Sequence, residues 1–171
     1  MTTPALEPEA VHVLPILCAR CEVRSGSDEI SSTMVEAMGK LAGYIQEHEL
    51  EHAGPPRTVY TSYGAEGVRM TVGFPIVEPD VEPPTSEDVS IGELAHGPAL
   101  RFSHVGPYEK LPETYQAITA WMIEHGLMES EADWSRFSPM WEEYVSDPVN
   151  TPPDELLTYI YLPAPDRDEE D

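Results

Sequence analysis

The stretch GPALRFSHVGPYEKLPETYQAITAWMIEHGL, residues 97–127, decides the fold because an extended segment gives way to a helix within it. Ala99–Val105 is apolar and β-prone, and Gly106-Pro107 has the residue types of a turn. Large side chains then recur at spacings of four, three and four, which predicts one face of a helix: Leu111, Tyr115, Ile118 and Met122. Pro112 suits the first turn of that helix, and Gly126 suits its end.

Working outward, the same sequence of elements is predicted twice. Two strands follow the helix, at Pro139–Ser146 and Leu156–Leu162, and a short extended stretch, Val89–Leu94, precedes it. The first half has an extended segment at 11–24, a helix and two strands at 57–63 and 68–77. Its helix carries the same spacing in Met34, Met38, Leu41 and Ile45.

Register supports a repeat, because equal lengths of chain separate Pro55 from Pro139 and Tyr60 from Tyr144. The predicted fold class is therefore α+β, with duplicated β-α-β-β units packed about a pseudo-twofold. Each unit has to bury one sheet face, so a ligand cleft is expected at their junction.

The domain boundaries follow from composition. We expect a disordered acidic tail at 1–10, a single domain at 11–164 and an acidic tail at 165–171. Residues 78–88 hold three prolines and five acids, which excludes a helix interior or a central strand. This linker divides the domain into repeat 1, about 11–77, and repeat 2, about 89–164.

Charge limits the partners. The 171 residues include 9 Lys and Arg against 32 Asp and Glu, a formal net charge of −23. Such a surface repels phosphate backbones and anionic lipids, so neither direct nucleic-acid binding nor membrane binding is expected, whereas cations are attracted. Solubility alone would also account for the charge. No apolar run approaches the roughly 20 residues of a membrane span, and the acidic N-terminus lacks leader features, so a cytoplasmic location is expected.

A family resemblance is carried by the stretch 97–127, the segments WEEYVSDP and LLTYIYLP, and the strand VGFPIV. In these segments the chain resembles the gyrase-inhibitory-protein-like family. The same fold serves as the effector-binding domain of multidrug-responsive bacterial transcription activators. The resemblance covers about 11–164, and its most specific pieces are Ser103–Tyr108 and the stretch from Glu142 to Pro148. It implies a central cleft that binds small cationic, lipophilic molecules, with Glu142 at the position that faces the cleft. Regulators of the family carry a helix-turn-helix domain that residues 1–10 are too few to hold, so we expect a stand-alone module.

The residues around Glu142 favour the same chemistry. In a strand, Met140, Glu142 and Tyr144 share one face while Trp141 and Glu143 share the other. A buried carboxylate needs compensation, which an organic cation would supply with help from aromatic rings. Two alternatives stay open: an ion pair with Arg101 or Arg136, or a solvated position at a sheet edge.

The remaining ligand-contact predictions are aromatic. Tyr159 and Tyr161 alternate with aliphatic residues, which is typical of a strand with one ligand face, although a half-exposed surface would show the same pattern. Tyr115, at helical spacing, is assigned to the core and His104 to a structural role. The complete set of predicted contacts is Glu142, Tyr144, Trp141, Met140, Tyr108, Phe102, Tyr159, Tyr161, Tyr63 and Phe74.

Two short motifs are discounted. His48-Glu49-Leu50-Glu51-His52 matches H-E-x-x-H, but it lies at a helix end stopped by Gly54-Pro55-Pro56 and has no third ligand. Cys18 and Cys21 match C-x-x-C, but positions three apart in a strand face opposite ways. No phosphate-cradling or serine-hydrolase motif occurs. No metal or cofactor is expected.

Three functions are carried forward. The first is a stand-alone multidrug-binding protein that holds lipophilic, aromatic cations. The second is a hydrolase of reactive, cyclopropane-containing natural products with Glu142 as general base. The third is a gyrase-interacting inhibitor whose acidic surface mimics DNA. A protein partner, a regulator or gyrase, is possible in each case and is not identified by the sequence.

Overall fold

A computed structural model describes residues 8–26, 29–64, 67–81, 83, 89–94, 96–130, 133–134, 137, 139–146 and 149–163. The fold is α+β, with an eight-stranded antiparallel open sheet and two α-helices. The first half contains β1 (Glu9–Val13), β2 (Leu17–Ser25), α1 (Ile30–Glu47), β3 (Arg57–Gly64) and β4 (Gly67–Pro75). The second contains β5 (Ser90–Glu93), β6 (Gly97–Val105), α2 (Leu111–Glu124), β7 (Met140–Tyr144) and β8 (Leu157–Pro163). Neither helix is both long and apolar enough to cross a membrane.

The strands run across the sheet in the order β1-β6-β8-β7-β3-β4-β2-β5. The central pair, β7 and β3, joins the two halves, with Glu142 opposite Thr58. We call this pairing the central seam. The strands β1 and β5 form the two edges.

Both helices pack on one face of the sheet. Beneath α1 lies a buried cluster that includes Leu41, Ala37 and Val72, and beneath α2 lies a second that includes Ile118, Met122 and Phe102. These apolar residues supply the periodic faces that the sequence predicts, and burying them stabilises both helices. Because α1 rests on β2 and β4 and α2 rests on β6, the seam lies between the helices. We call the space over the seam, on the helix side, the central groove.

The opposite face carries a smaller core that includes Trp141, Val59 and Tyr161. Only Leu14–Ile16 connects β1 to β2, although six strand spacings, about 29 Å in a flat sheet, separate them. Four peptide steps reach about 14 Å at most. The sheet therefore curls strongly, and this face is its concave side.

The predicted elements correspond to observed ones, with two differences. The extended segment 11–24 is two strands rather than one, because Pro15 lies in the connection and has no backbone N–H for a sheet. β1 begins at Glu9, inside the segment expected to be a tail, and it pairs with β6 of the other half. The segments 1–7, 84–88 and 164–171 lie outside the described residues.

Candidate functional site

One row of paired residues crosses the sheet on the helix side and places Glu142 at its centre. The row runs Phe102, Ile160, Glu142, Thr58, Val72 and Cys21. Its ends are apolar and lie beneath the helices, whereas its two central members are polar and lie in the seam. Glu142 is 3% exposed, so a carboxylate is buried in the seam between the two helices.

Three tyrosine hydroxyls surround that carboxylate. Tyr144 donates to Oε1 over 2.7 Å, and Tyr60 donates to the same oxygen over 3.1 Å. Tyr115 of α2 donates to Oε2. The three donors come from β7, β3 and α2, so the Glu142 site is built from both halves of the chain. We call these four residues the tyrosine cradle.

A second layer orients Tyr144. Its hydroxyl oxygen lies 3.0 Å from Oγ1 of Thr58 and 3.2 Å from the sulfur of Met34 in α1. Tyr144 has one hydroxyl proton, and it points to the carboxylate; Thr58 can then donate its own proton to the tyrosine oxygen. Thr58 is fully buried, which leaves it little freedom to point elsewhere.

Burial raises the pKa of Glu142 above its ordinary value, because a charged carboxylate is poorly solvated here. The hydrogen bonds from the three tyrosines and the nearby His104 act in the opposite direction. Burial and the neighbouring carboxylate together hold the pKa values of Tyr115 and Tyr144 well above the ordinary range. The tyrosines therefore stay protonated and act as donors.

No basic residue in the described part of the chain forms an ion pair with Glu142. Arg101 pairs instead with Glu9, over 2.9 Å, and its guanidinium lies over the ring of Tyr159. Arg136 lies outside the described residues. Within the described residues, its direct partners are hydroxyl groups, so the carboxylate can still accept a full positive charge.

Some predicted contacts lie near Glu142. Met140 and Tyr144 share its face, and the ring of Tyr108 meets that of Tyr144 edge-on at 5.8 Å between centroids. Phe102 is on the same face but is buried beneath α2, where its ring packs against Trp121. Phe74 belongs to the cluster beneath α1. The side chain of Tyr63 is outside the described residues.

The structure does not bring Trp141, Tyr159 and Tyr161 to Glu142. The pairing of β7 with β8 sets Glu142 opposite Ile160, so the aliphatic residues of β8 share its face and the tyrosines face the concave side. There Tyr161 stacks on Trp141 at 5.2 Å between centroids. The predicted alternation of β8 is confirmed, but its tyrosine face is the one away from the central groove.

Sequence reasoning missed Tyr60 and Tyr115. Tyr115 has the helical spacing of a core residue, and nothing in that spacing separates a core ring from one whose hydroxyl reaches a carboxylate. The signal for Tyr60 was its repeat correspondence with Tyr144, which puts a second tyrosine near the same seam.

Neither the H-E-x-x-H motif nor the C-x-x-C motif forms a metal or redox site in the described part of the chain. Helix α1 ends at Glu47, and His52 lies beyond it in an isolated bridge with Ile76, so the two histidines do not share a helical turn. Cys18 and Cys21 are buried and belong to cores on opposite faces of β2. No group of three or more metal-binding side chains occurs among the described residues.

His104 is structural, as predicted. Its ring nitrogens contact Thr114 Oγ1 at 2.5 Å and the carbonyl of Pro107 at 3.0 Å, so both are satisfied. These contacts fix the corner between β6 and α2, from which Tyr115 reaches the carboxylate.

Comparison with known proteins gives the following matches. Residues 24–165 match the model of the GyrI-like small molecule binding domain family. No curated protein sequence matches the chain. Among solved structures, the chain of EcmrR in its DNA complex is similar, with a TM-score of 0.71 and 13% identity over 92% of this chain. This chain spans 57% of the length of that EcmrR chain.

Two further structures have the same fold. The structure of SAV2435 bound to tetraphenylphosphonium has a TM-score of 0.60 and 12% identity, covering 95% of this chain and 96% of that one. A hydrolase from Listeria innocua has a TM-score of 0.56 and 16% identity, covering 94% and 93%.

Proposed function

The chain belongs to the GyrI-like small molecule binding domain family, and we propose that it binds lipophilic, aromatic cations in the central groove with Glu142 as the charged contact. One observation carries the proposal: Glu142 is a buried carboxylate that has no basic partner among the described residues. Burying an unpaired charge is costly unless a ligand or a proton neutralises it. A cation would neutralise it and leave the hydroxyl donors in place.

The surroundings of the carboxylate suit such a guest. Tyr60, Tyr115 and Tyr144 donate their hydroxyls to Glu142, which brings three aromatic side chains to the carboxylate, and cation–π contacts contribute about 0.5–2 kcal/mol each. Met34, from α1, adds a polarisable side chain that can adjust to guests of different shape. The net charge of −23 raises the local concentration of any cation.

The neighbour SAV2435, whose structure holds tetraphenylphosphonium, supports the choice of ligand class. Tetraphenylphosphonium combines a delocalised positive charge with four apolar rings, which is the chemistry the tyrosine cradle would recognise. Because Glu142 is 3% exposed, a ligand of that size reaches the carboxylate only after cradle side chains move.

The duplication predicted from the sequence is part of the same proposal. The corresponding strands of the two halves are β1 and β5, β2 and β6, β3 and β7, and β4 and β8. If the members of each pair are exchanged and the strand order is read backwards, the same order results. The repeat register makes Tyr60 equivalent to Tyr144 and Thr58 equivalent to Glu142, and Thr58 pairs directly with Glu142. This supports a pseudo-twofold that passes between them, with the ligand cleft on the axis.

Titration with tetraphenylphosphonium by calorimetry tests the proposal. We expect saturable binding by the wild type and a loss of roughly tenfold or more in Glu142→Gln, since a charge-assisted contact exceeds the roughly 1.4 kcal/mol of a tenfold change. Glu124→Gln, an exposed carboxylate in α2, is the matched control because it removes the same charge elsewhere. Equal affinity in Glu142→Gln would exclude the carboxylate role, and absence of binding by the wild type would exclude the function.

A second candidate function is hydrolysis, because a carboxylate with a raised pKa beside hydroxyl donors can act as a general base on water. The neighbour described as a hydrolase supports this function by fold-level analogy. Incubation with cyclopropane-containing natural products, followed by mass spectrometry, tests it. Formation of a hydrated product by the wild type and not by Glu142→Gln is expected, and unchanged parent compound would exclude these substrates.

A further inference from the structure

A polar cluster occupies the concave side of the sheet, away from Glu142. Arg57 of β3 pairs with Glu143 of β7 through Nη2 and Oε2 at 3.4 Å. The other oxygen of Glu143 accepts a 2.8 Å hydrogen bond from the hydroxyl of Tyr161. The Glu143 carboxylate is therefore satisfied on both oxygens.

The donors of this cluster exceed its acceptors. Nε and Nη1 of Arg57 and Nε1 of Trp141 are buried, and none of the three has a hydrogen-bond partner within the described residues. A buried donor without a partner costs roughly 1–3 kcal/mol, so three of them on one face favour an acceptor that lies outside the described residues.

The two residues that carry these donors are neighbours on the sheet. Arg57 pairs with Glu143 and Val59 pairs with Trp141, which makes Arg57 and Trp141 diagonal neighbours on the same face of the central seam. Diagonal side chains of this kind lie about 7–8 Å apart and can contact one small molecule together.

Arg57 has a second arginine as its neighbour across β4. Arg20 and Arg57 both pair with Gly73, from opposite sides of that strand. The guanidinium of Arg20 is held at β5, where it donates to Ser90 Oγ over 3.3 Å and to the carbonyl of Glu93 over 2.8 Å. Both arginines act on the thiol of Cys18, although burial is the larger influence and raises the pKa of that thiol to about 11.

We propose that Arg57 and Trp141 form a second binding site, separate from the central groove, that takes a small carboxylate anion such as formate or acetate. A carboxylate has acceptors only, so it satisfies the guanidinium and indole donors without adding a donor of its own. Leu94 and Cys18 pack close to Gly73 beside Arg57, which limits the ligand to a few atoms. Arg57 and Glu143 are 11% and 12% exposed, so the site opens to solvent at the ion pair.

Line broadening of ¹³C-formate, measured by NMR on the full chain at constant ionic strength, tests the site. We expect saturable broadening that unlabelled acetate reverses. Trp141→Phe keeps an aromatic ring beside Tyr161 while it removes the N–H donor and reduces the size of the side chain. In protein that circular dichroism shows to be folded, it should weaken formate binding about tenfold, as expected for a hydrogen bond to a charged group. Arg57→Gln should abolish binding in protein that circular dichroism shows to be folded.

Two control variants distinguish this site from nonspecific anion binding and from the central groove. Arg69→Gln removes an exposed guanidinium from the same face of the sheet, and it should leave formate binding unchanged. Glu142→Gln should also leave it unchanged, since that carboxylate lies on the other face. An absence of saturable broadening by the wild type would mean that the donors hold only water, and equal binding in Trp141→Phe or an equal loss in Arg69→Gln would also overturn the proposal.

Discussion

The hydroxyl of Tyr60 in the first half lies 3.1 Å from Oε1 of Glu142 in the second, across the seam that joins the halves. Thr58, two residues earlier in the same strand, pairs with Glu142 itself. The ionisation of one carboxylate is therefore linked to the packing of both halves, and changes at Glu142 should register in global stability as well as in binding.

The ligand-free protein should lose stability at Glu142 as the pH rises. Burial raises the pKa of Glu142 in the folded state, so this group contributes its full stability below the ordinary carboxyl pKa and loses it as the pH rises through the raised value. Glu142→Gln cannot ionise. We expect the free energy of unfolding of this variant, relative to wild type, to increase as the pH rises from the ordinary carboxyl pKa through the raised value.

Urea denaturation at several pH values measures this difference, and taking the difference cancels the many other carboxyls. Glu124→Gln provides the control, because it removes the same charge from an exposed side chain and so measures the effect of the change in net charge alone. A difference for Glu142→Gln that stays flat over this range would mean that its ionisation does not oppose folding.

Cation affinity should have the opposite pH dependence. The charged carboxylate is the form that attracts a cation, so affinity for tetraphenylphosphonium should fall as the pH drops through the raised pKa of Glu142. Binding should also release a proton, detectable by calorimetry in buffers of different ionisation enthalpy. Proton release that persists in Glu142→Gln would assign the titration to another group.

The periodicity of the sequence predicted the helices and strands because each of them packs one face on a core. The helical spacing of Leu111, Ile118 and Met122 reflects one apolar face on a sheet, and all three contribute to the cluster beneath α2. The alternation in β7 likewise placed Met140, Glu142 and Tyr144 together. These are local properties of a helix or a strand, and they can be derived from the sequence.

What the sequence did not show depends on pairing between distant strands. Whether the tyrosines of β8 face Glu142 is set by the register that puts Ile160 opposite it, and no local pattern encodes that register. The pairing of β1 with β6 and the curl of the sheet depend on the same kind of contact. The role of Tyr115 depends on how α2 is placed over the seam, which periodicity does not give.

Removing the hydroxyl of Tyr115 should destabilise the protein and shift its pH profile. Tyr115→Phe deletes the donor to Oε2, and a hydrogen bond to a charged group is worth about 1.5–3 kcal/mol. It also removes an influence that lowers the pKa of Glu142, so the rise of cation affinity should move to higher pH. Urea denaturation measures the first effect and calorimetric titration at several pH values measures the second. Tyr159→Phe is the matched control, because Tyr159 faces the concave side, and it should change neither quantity. Equal effects of the two substitutions would contradict the cradle as described.

A side chain at Gly73 should destabilise the core on the concave side of the sheet. A Cβ there would overlap Cδ1 of Leu94 and would lie 3.2 Å from its Cγ. Leu94 is buried, with 7% of its surface exposed, so it cannot simply move outward. We expect Gly73→Ala to cost about 1–3 kcal/mol, the usual result of overpacking.

Gly39→Ala is the matched comparison for Gly73→Ala, because it adds the same methyl group at an exposed position inside α1. A Cβ at Gly39 meets nothing within 4 Å, and alanine is favoured over glycine inside a helix by roughly 0.5–1 kcal/mol, so this variant should be more stable than wild type. Urea denaturation of both variants at one temperature gives the two free energies of unfolding directly. If Gly73→Ala were as stable as wild type, the packing of Leu94 over β4 would be looser than described, and the size limit on an anion bound beside Arg57 would be lost with it.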